Sequence, residues 1–371
     1  MPAVNRGAQA RSTSTEYKHG AVWSIIMDNR KKNGKKKTRR EEDKADQGVI
    51  RSVGNGLKSA MDLAVFTGLC AGAGALAGAA AHFYKYAMTP KKHDPRIDKD
   101  PLQKDYVAGR RWVKEHPLRE DVYIRSDDAL QLHANFIPAQ DRNVQWYAVC
   151  VHGYADTSVS MGLYARVYSE QYGMNVLLPD LRGHGLSDGN YVGMGYDDRR
   201  DLLRWIDWIL ERDADAKIIL HGISMGAATI LMTTGEKIPA QVVAAISDAS
   251  YTSAMDIFTA VYKKEKDAVV PAPILLEALR GVTLIRAGYD IAKASPVEAV
   301  ARSSTPTLFI HGQADRFVPS EMMPVLFKAA ACPKAFLWIP EATHVMSVCV
   351  DPETYWSKVE RFLHARGMPL S

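Results

Sequence analysis

Gly222, Ile223, Ser224, Met225 and Gly226 form a G-x-S-x-G pattern between an apolar β run, residues 217–221, and the start of a buried helix at 227–232. A serine on so tight a strand-to-helix turn is pushed up and out, where its Oγ can attack a carbonyl carbon. Glycine is needed at 222 and 226 because a Cβ there would collide where helix and strand approach. The chemistry that fits is acyl transfer. Such a serine is inert without a base to take its proton and a carboxylate to orient the base.

Of the eleven histidines, His344 and His364 lie downstream with an acid in between. His364 sits among Tyr355, Trp356, Val359, Phe362 and Leu363, whose spacing makes a terminal amphipathic helix, so it falls on or beside a packing face. His344 instead ends a short loop, 341–344, directly after the strand-like run 335–339. A loop at a strand end is where a sheet presents catalytic groups. His344 is therefore the expected base, the alternative being a solvated loop histidine. For the acid, a buried strand at 307–311 turns through Gly312, Gln313 and Ala314 to Asp315. The rival is Asp248, beyond the strand 242–246, which could instead cap the segment that follows. His221 and His311 each end a strand just before a glycine and read as buried, hydrogen-bonded core residues.

An oxyanion also needs donors. Met225, next after the nucleophile, offers one backbone N–H. The strand 146–151 followed by His152, Gly153 and Tyr154 offers the Tyr154 N–H as the second, with Gly153 letting the backbone come close. One such donor contributes ~3–4 kcal/mol to lowering the barrier. His152 reads as structural.

With these parts in place the chain resembles the α/β-hydrolase superfamily, in particular its serine-aminopeptidase-like and monoacylglycerol-lipase-like hydrolases, from about residue 120 to 367. The pieces that carry the resemblance are His152-Gly153-Tyr154, the stretch from Asp180 to Ser187 after the strand 174–178, the Ser224 elbow, the run from His311 to Asp315, and His344. The resemblance implies an α/β-hydrolase fold and partners in the chain order Ser, Asp, His. It also implies that the charges of the Asp180 stretch brace the site rather than react. These motifs are specific for the superfamily and nearly silent about substrate.

The elements agree. Strand-like runs at 121–125 and 130–137 join those already named and alternate with helical stretches such as 196–212 and 321–331. That alternation predicts a mostly parallel central sheet with helices on both faces. One interval breaks it: about 249–304 is helically patterned and too long for idle loop. It is expected to be a helical cap over the serine, with extra helices at the sheet edge as the alternative. The hydrolase domain is thus placed at 120–371, after a linker at 90–119.

The N-terminal region differs in kind. Residues 1–60 hold fourteen Lys or Arg against six Asp or Glu, leaving −3 for the rest of a chain whose formal net charge is +5. So polar a tail cannot fold alone. Residues 64–81 then run without a charge, and extended from Leu63 to Phe83 they approach the ~20 residues that cross a bilayer. Phe83, Tyr84 and Tyr86 make an aromatic edge like that at a membrane interface. A single transmembrane helix within 61–89 is expected, with the basic cluster at 30–40 holding the N-terminus in the cytoplasm and the hydrolase domain outside it. The alternative is an Ala-rich helix packing on the domain. Basic charge near a membrane explains the lysines, so no nucleic-acid partner is expected.

Cys332 and Cys349 could pair if the domain is exported, while Cys70 and Cys150 read as apolar residues. No H-E-x-x-H, paired C-x-x-C or phosphate-cradling glycine loop occurs, so neither metal nor nucleotide cofactor is expected. The expected function is that of a membrane-anchored serine hydrolase acting on an ester, lipid or peptide, with carboxylesterase or lipase chemistry ahead because the cap is apolar. An aminopeptidase-like enzyme or a non-catalytic binding module are the alternatives.

Overall fold

Eight short runs, most of them rich in Val, Ile, Leu and Ala, form the eight strands of one sheet in the computed structural model, which describes residues 73–91, 103–264 and 270–369. All of these fall within one compact unit, Ala45–Ser371. The strands are β1 (Glu120–Arg125), β2 (Gln131–Ile137), β3 (Trp146–Val151), β4 (Asn175–Pro179), β5 (Lys217–Ile223), β6 (Val242–Asp248), β7 (Thr307–Gly312) and β8 (Lys334–Ile339). Their order across the sheet is β1-β2-β4-β3-β5-β6-β7-β8. β2 runs antiparallel to both β1 and β4, and every other pairing is parallel. β3, β4 and β7 are buried along their whole length, as parallel strands covered on both faces must be.

The main helices in chain order are α1 (Ala73–Met88), α2 (Lys104–Glu115), α3 (Asp198–Leu210), α4 (Met225–Thr234), α5 (Ala254–Tyr262), α6 (Ala272–Ala287), α7 (Met322–Ala329) and α8 (Pro352–His364). Alternation along β5 shows how they cover the sheet, since successive side chains point to opposite faces. Leu220 joins a core with Trp205 and Ile206 of α3 and Met225 and Ala228 of α4. His221, one residue on, meets Tyr355 and Trp356 of α8 together with Tyr164 and Tyr168. The interval expected to form a cap is helical, holding α5 and α6, and it carries Ile257, Phe258 and Val261 to the cavity that contains Ser224.

Two expectations require correction. Residues 104–115, assigned to a linker, form α2, which buries Tyr106, Gly109, Arg110 and Val113. The Tyr106 hydroxyl donates to Val345 O at 2.7 Å, so this helix is tied to the loop carrying His344. The second correction concerns the apolar run from Leu63 to Phe83. Among the described residues no helix is long and apolar enough to cross a membrane. From Ala73 onward the run is α1, which packs along α6 and buries Ala80, Phe83, Tyr84, Ala87 and Met88 within the main core. Ala79, Ala80 and Phe83, which would face lipid in a span, face protein instead. A Cβ at Gly74 or Gly78 would meet open space, so neither glycine is required by a close approach of another chain segment. Residues 63–72 and the basic tail at 1–60 lie outside the described residues.

Candidate active site

Ser224 stands at the corner between β5 and α4 with φ 51° and ψ −118°. That is a conformation an L-residue adopts only at a cost of ~1–3 kcal/mol. The surrounding chain over-determines it. The Ser224 N–H donates to Asp248 O at 2.9 Å, and Ala228 N–H donates back to Ser224 O at 3.0 Å. Strand and helix approach so closely that a Cβ on Gly222 would lie 2.4 Å from Gly226 O, and one on Gly226 2.2 Å from Val151 O. Only glycine fits at either position. The hydroxyl is therefore held at the carboxyl end of a central strand, where open α/β sheets bind ligands.

Three of the sequence-predicted residues meet there. His344 Nε2 is 2.9 Å from Ser224 Oγ, and His344 Nδ1 is 2.7 Å from Asp315 Oδ2. The other Asp315 oxygen accepts the backbone N–H groups of Phe317 and Val318 at 2.9 and 3.0 Å. Burial pushes the Asp315 carboxyl up, but the neighbouring His344 and His311 outweigh it and hold the group well below the usual carboxylate range. A carboxylate there fixes the His344 tautomer, with Nδ1–H toward Asp315 and Nε2 free to accept from serine. Phe317 packs on the imidazole, ring centroids 4.9 Å apart.

Sequence reasoning missed the part played by His311. Its Nε2 lies 3.1 Å from Val318 O and 3.2 Å from Asp315 Oδ2, so it braces the turn that carries the acid. The available signal was its place four residues before Asp315, at the end of β7. Asp248, the rival acid, is not beside the imidazole nitrogen. Its Oδ2 accepts from the Tyr355 hydroxyl at 3.1 Å, and burial raises its carboxyl to about 7. His221 extends this buried chain, with Nε2 3.0 Å from Tyr355 Oη and Nδ1 2.9 Å from Tyr168 Oη. Burial lowers it to about 3. A neutral ring taking Tyr168 O–H at Nδ1 and giving Nε2–H to Tyr355 satisfies both nitrogens. His364 lies apart from the serine, its Nδ1 2.8 Å from Met368 O.

The expected oxyanion donors are beside the serine. A Cβ on Gly153 would stand 3.3 Å from Ser224 Cβ, so the loop after β3 passes against the nucleophile. Among the described residues neither the Tyr154 nor the Met225 N–H carries a hydrogen bond. Two backbone N–H groups without partners beside one serine are suited to an incoming oxygen. His152 is structural: its Nε2 accepts from Leu181 N–H at 3.0 Å, which puts the proton on Nδ1, 2.7 Å from Gly153 O. Asp180 likewise braces the loops, taking His133 Nδ1 at 2.6 Å and Ser158 N–H at 2.7 Å.

Ser224, Met225 and Tyr154 open into a narrow cavity of about 60 Å³ whose other walls are apolar or aromatic, among them Phe83, Met194, Phe258, Val261 and Phe317. A larger open depression, about 990 Å³, is lined by residues of β1 and α3 and contains none of the site residues. Among the described residues no group of three or more His, Cys, Asp or Glu is arranged to hold a metal ion. Among the described residues no disulfide is formed, so Cys332 and Cys349 do not pair with each other.

A sheet in this order, with a serine elbow after its fifth strand, defines an α/β-hydrolase. The comparison with known families agrees: residues 148–356 match the model of the alpha/beta hydrolase family, and the chain belongs to it. An uncharacterised protein of Bacillus subtilis, YqkD, is 28% identical over 192 residues, which cover 52% of this chain and 62% of that protein's length. The alpha/beta hydrolase domain-containing protein WAV2 of Arabidopsis thaliana is 26% identical over 66% of this chain and 79% of its own. Among solved structures, the Pyrococcus furiosus esterase Pf2001 superposes with a TM-score of 0.54 at 20% identity, covering 75% of this chain and 96% of that one. At that identity the likeness concerns the fold.

Proposed function

We propose that the protein is a serine hydrolase that cleaves a carboxylic ester through an acyl-enzyme. The observation that carries this reading is the hydrogen-bonded series Asp315–His344–Ser224 on a strained elbow. Ser224 Oγ attacks the carbonyl carbon while His344 Nε2 takes its proton. Negative charge gathers on the carbonyl oxygen, which the Tyr154 and Met225 amides hold. Asp315 stabilises the imidazolium that has formed. As the tetrahedral species collapses, His344 gives the proton to the departing alkoxide and the acyl group stays on Ser224. Water then enters, His344 takes one of its protons, and the same steps return the serine and release the acid.

The cavity favours ester over aminoacyl substrates. An aminoacyl group carries an ammonium that is costly to desolvate without an anionic partner, and no acidic residue is among those lining the cavity. A fluorophosphonate should label the protein covalently, and Ser224→Ala should abolish labelling with the melting temperature preserved. Labelling of the Ser224→Ala variant at another residue would disprove the assignment.

A further inference from the structure

Helix α1 lies outside the stretch that matches the family model, yet its Phe83, Tyr86 and Ala87 line the cavity that opens on Ser224. It is fixed there by specific contacts. The Phe83 ring meets Phe258 of α5 edge-on, centroids 5.3 Å apart. Ala87 O accepts from the Tyr154 hydroxyl at 3.0 Å, and Met88 O accepts from Val192 N–H at 2.7 Å. Both carbonyls belong to the last turn of α1, where the helix itself supplies no donor. The domain thus caps this helix end, and one capping side chain belongs to Tyr154, whose amide is assigned to the oxyanion.

We propose that α1 is an acyl-binding wall of the active site, with Phe83 and Ala87 setting the length of acyl chain it accepts. This rests on the reading of Ser224 as an acylated nucleophile. Three substituents leave the carbonyl carbon in the tetrahedral species besides the serine oxygen, and two are placed by the catalytic groups. The leaving oxygen must lie beside His344, which protonates it, and the oxyanion must face Tyr154 and Met225. Those two residues line the cavity and His344 does not. The remaining substituent, the acyl chain, enters it and runs toward α1. Because the walls are apolar and uncharged, an unbranched aliphatic acyl group fits their chemistry.

The test uses the full-length chain and p-nitrophenyl esters of increasing acyl length. Each methylene the cavity takes up should raise kcat/KM about fourfold, the equivalent of ~0.8 kcal/mol per buried CH₂, until the chain meets the wall. Phe83→Ala should carry that rise to acids at least two carbons longer, and Ala87→Leu should end it at least two carbons earlier. Tyr86→Ala, at a half-buried position, should act in the direction of Phe83→Ala and serves if the core variants do not fold. A uniform loss at every chain length, or a break that stays in place in folded variants, would overturn the proposal while Ser224-dependent hydrolysis left the proposed function standing. A shift seen only when the alcohol is varied at constant acetyl would also overturn it. Absence of both ester hydrolysis and fluorophosphonate labelling in the unmodified chain would remove the proposed function first, and the wall with it.

Discussion

Asp248 and Asp315 leave neighbouring strands, both carboxyls are buried, and their surroundings drive them in opposite directions. Asp315 receives two backbone N–H groups and two imidazoles, enough to keep it ionised despite burial. Asp248 receives the Tyr355 hydroxyl alone, and its Oδ1 has no hydrogen-bond partner among the described residues. Desolvation then wins, and the neutral acid is favoured up to about pH 7. Two outcomes follow for the pair. Asp315→Asn should lower turnover by roughly 10⁴-fold, through the wrong tautomer and lost charge stabilisation of His344, and Asp248→Asn by far less. Reversed losses in steady-state kinetics would transfer the role of acid to Asp248. The second outcome concerns stability. A carboxyl at about 7 in the folded chain and ~3.9 unfolded binds more protons when folded, so stability falls as pH rises from about 4 to 7. Asp248→Asn mimics the neutral form. It should raise the melting temperature by several degrees at pH 8 and leave it nearly unchanged at pH 4.5. An equal change at both pH values would contradict this account.

At the scale of elements, what could be read from the chain was what local pattern determines. Seven strands were legible as short apolar runs and β1 as a run with alternating exposure, and the turns after β5, β7 and β8 gave Ser224, Asp315 and His344 their places. The strand order was not legible, because it depends on crossovers that single runs do not encode. Helix α2 escaped notice because its buried face is Tyr106, Gly109, Arg110 and Val113, which lacks an aliphatic stripe. Helix α1 was assigned to the wrong surroundings for a physical reason. An uncharged run of Ala and Gly with aromatics at one end suits lipid and suits close packing on protein equally well. Phe258 and Tyr154 decide between the two, and both are distant in sequence. His311 shows the same limit on a smaller scale: its strand-end position was visible, but its contact with Asp315 depends on how the following turn folds back.

For the whole molecule, the division of charge and the placement of α1 bear on membrane attachment. Residues 1–60 carry the entire excess of positive charge, and the apolar run from Leu63 to Phe83 follows them. A bilayer-spanning helix over that run and the α1 of this fold exclude each other. Spanning would draw Phe83 out of its contact with Phe258 and remove one wall of the cavity beside Ser224. With α1 kept in the domain, ten residues of the run remain, 63–72, about half of the ~20 that cross a hydrocarbon core. Electrostatic attraction of the basic stretch to anionic lipid is available without any span, and it weakens with salt and with loss of lysine charge. The full-length chain should therefore leave a membrane fraction on an alkaline carbonate wash and bind anionic vesicles less at about 0.5 M than at about 0.05 M salt. Its ester-hydrolysing activity should be the same in the bound and released pools. Retention through carbonate would mean that Leu63 to Phe83 does span. It would then be accompanied by altered acyl-length selectivity, because α1 could no longer line the site.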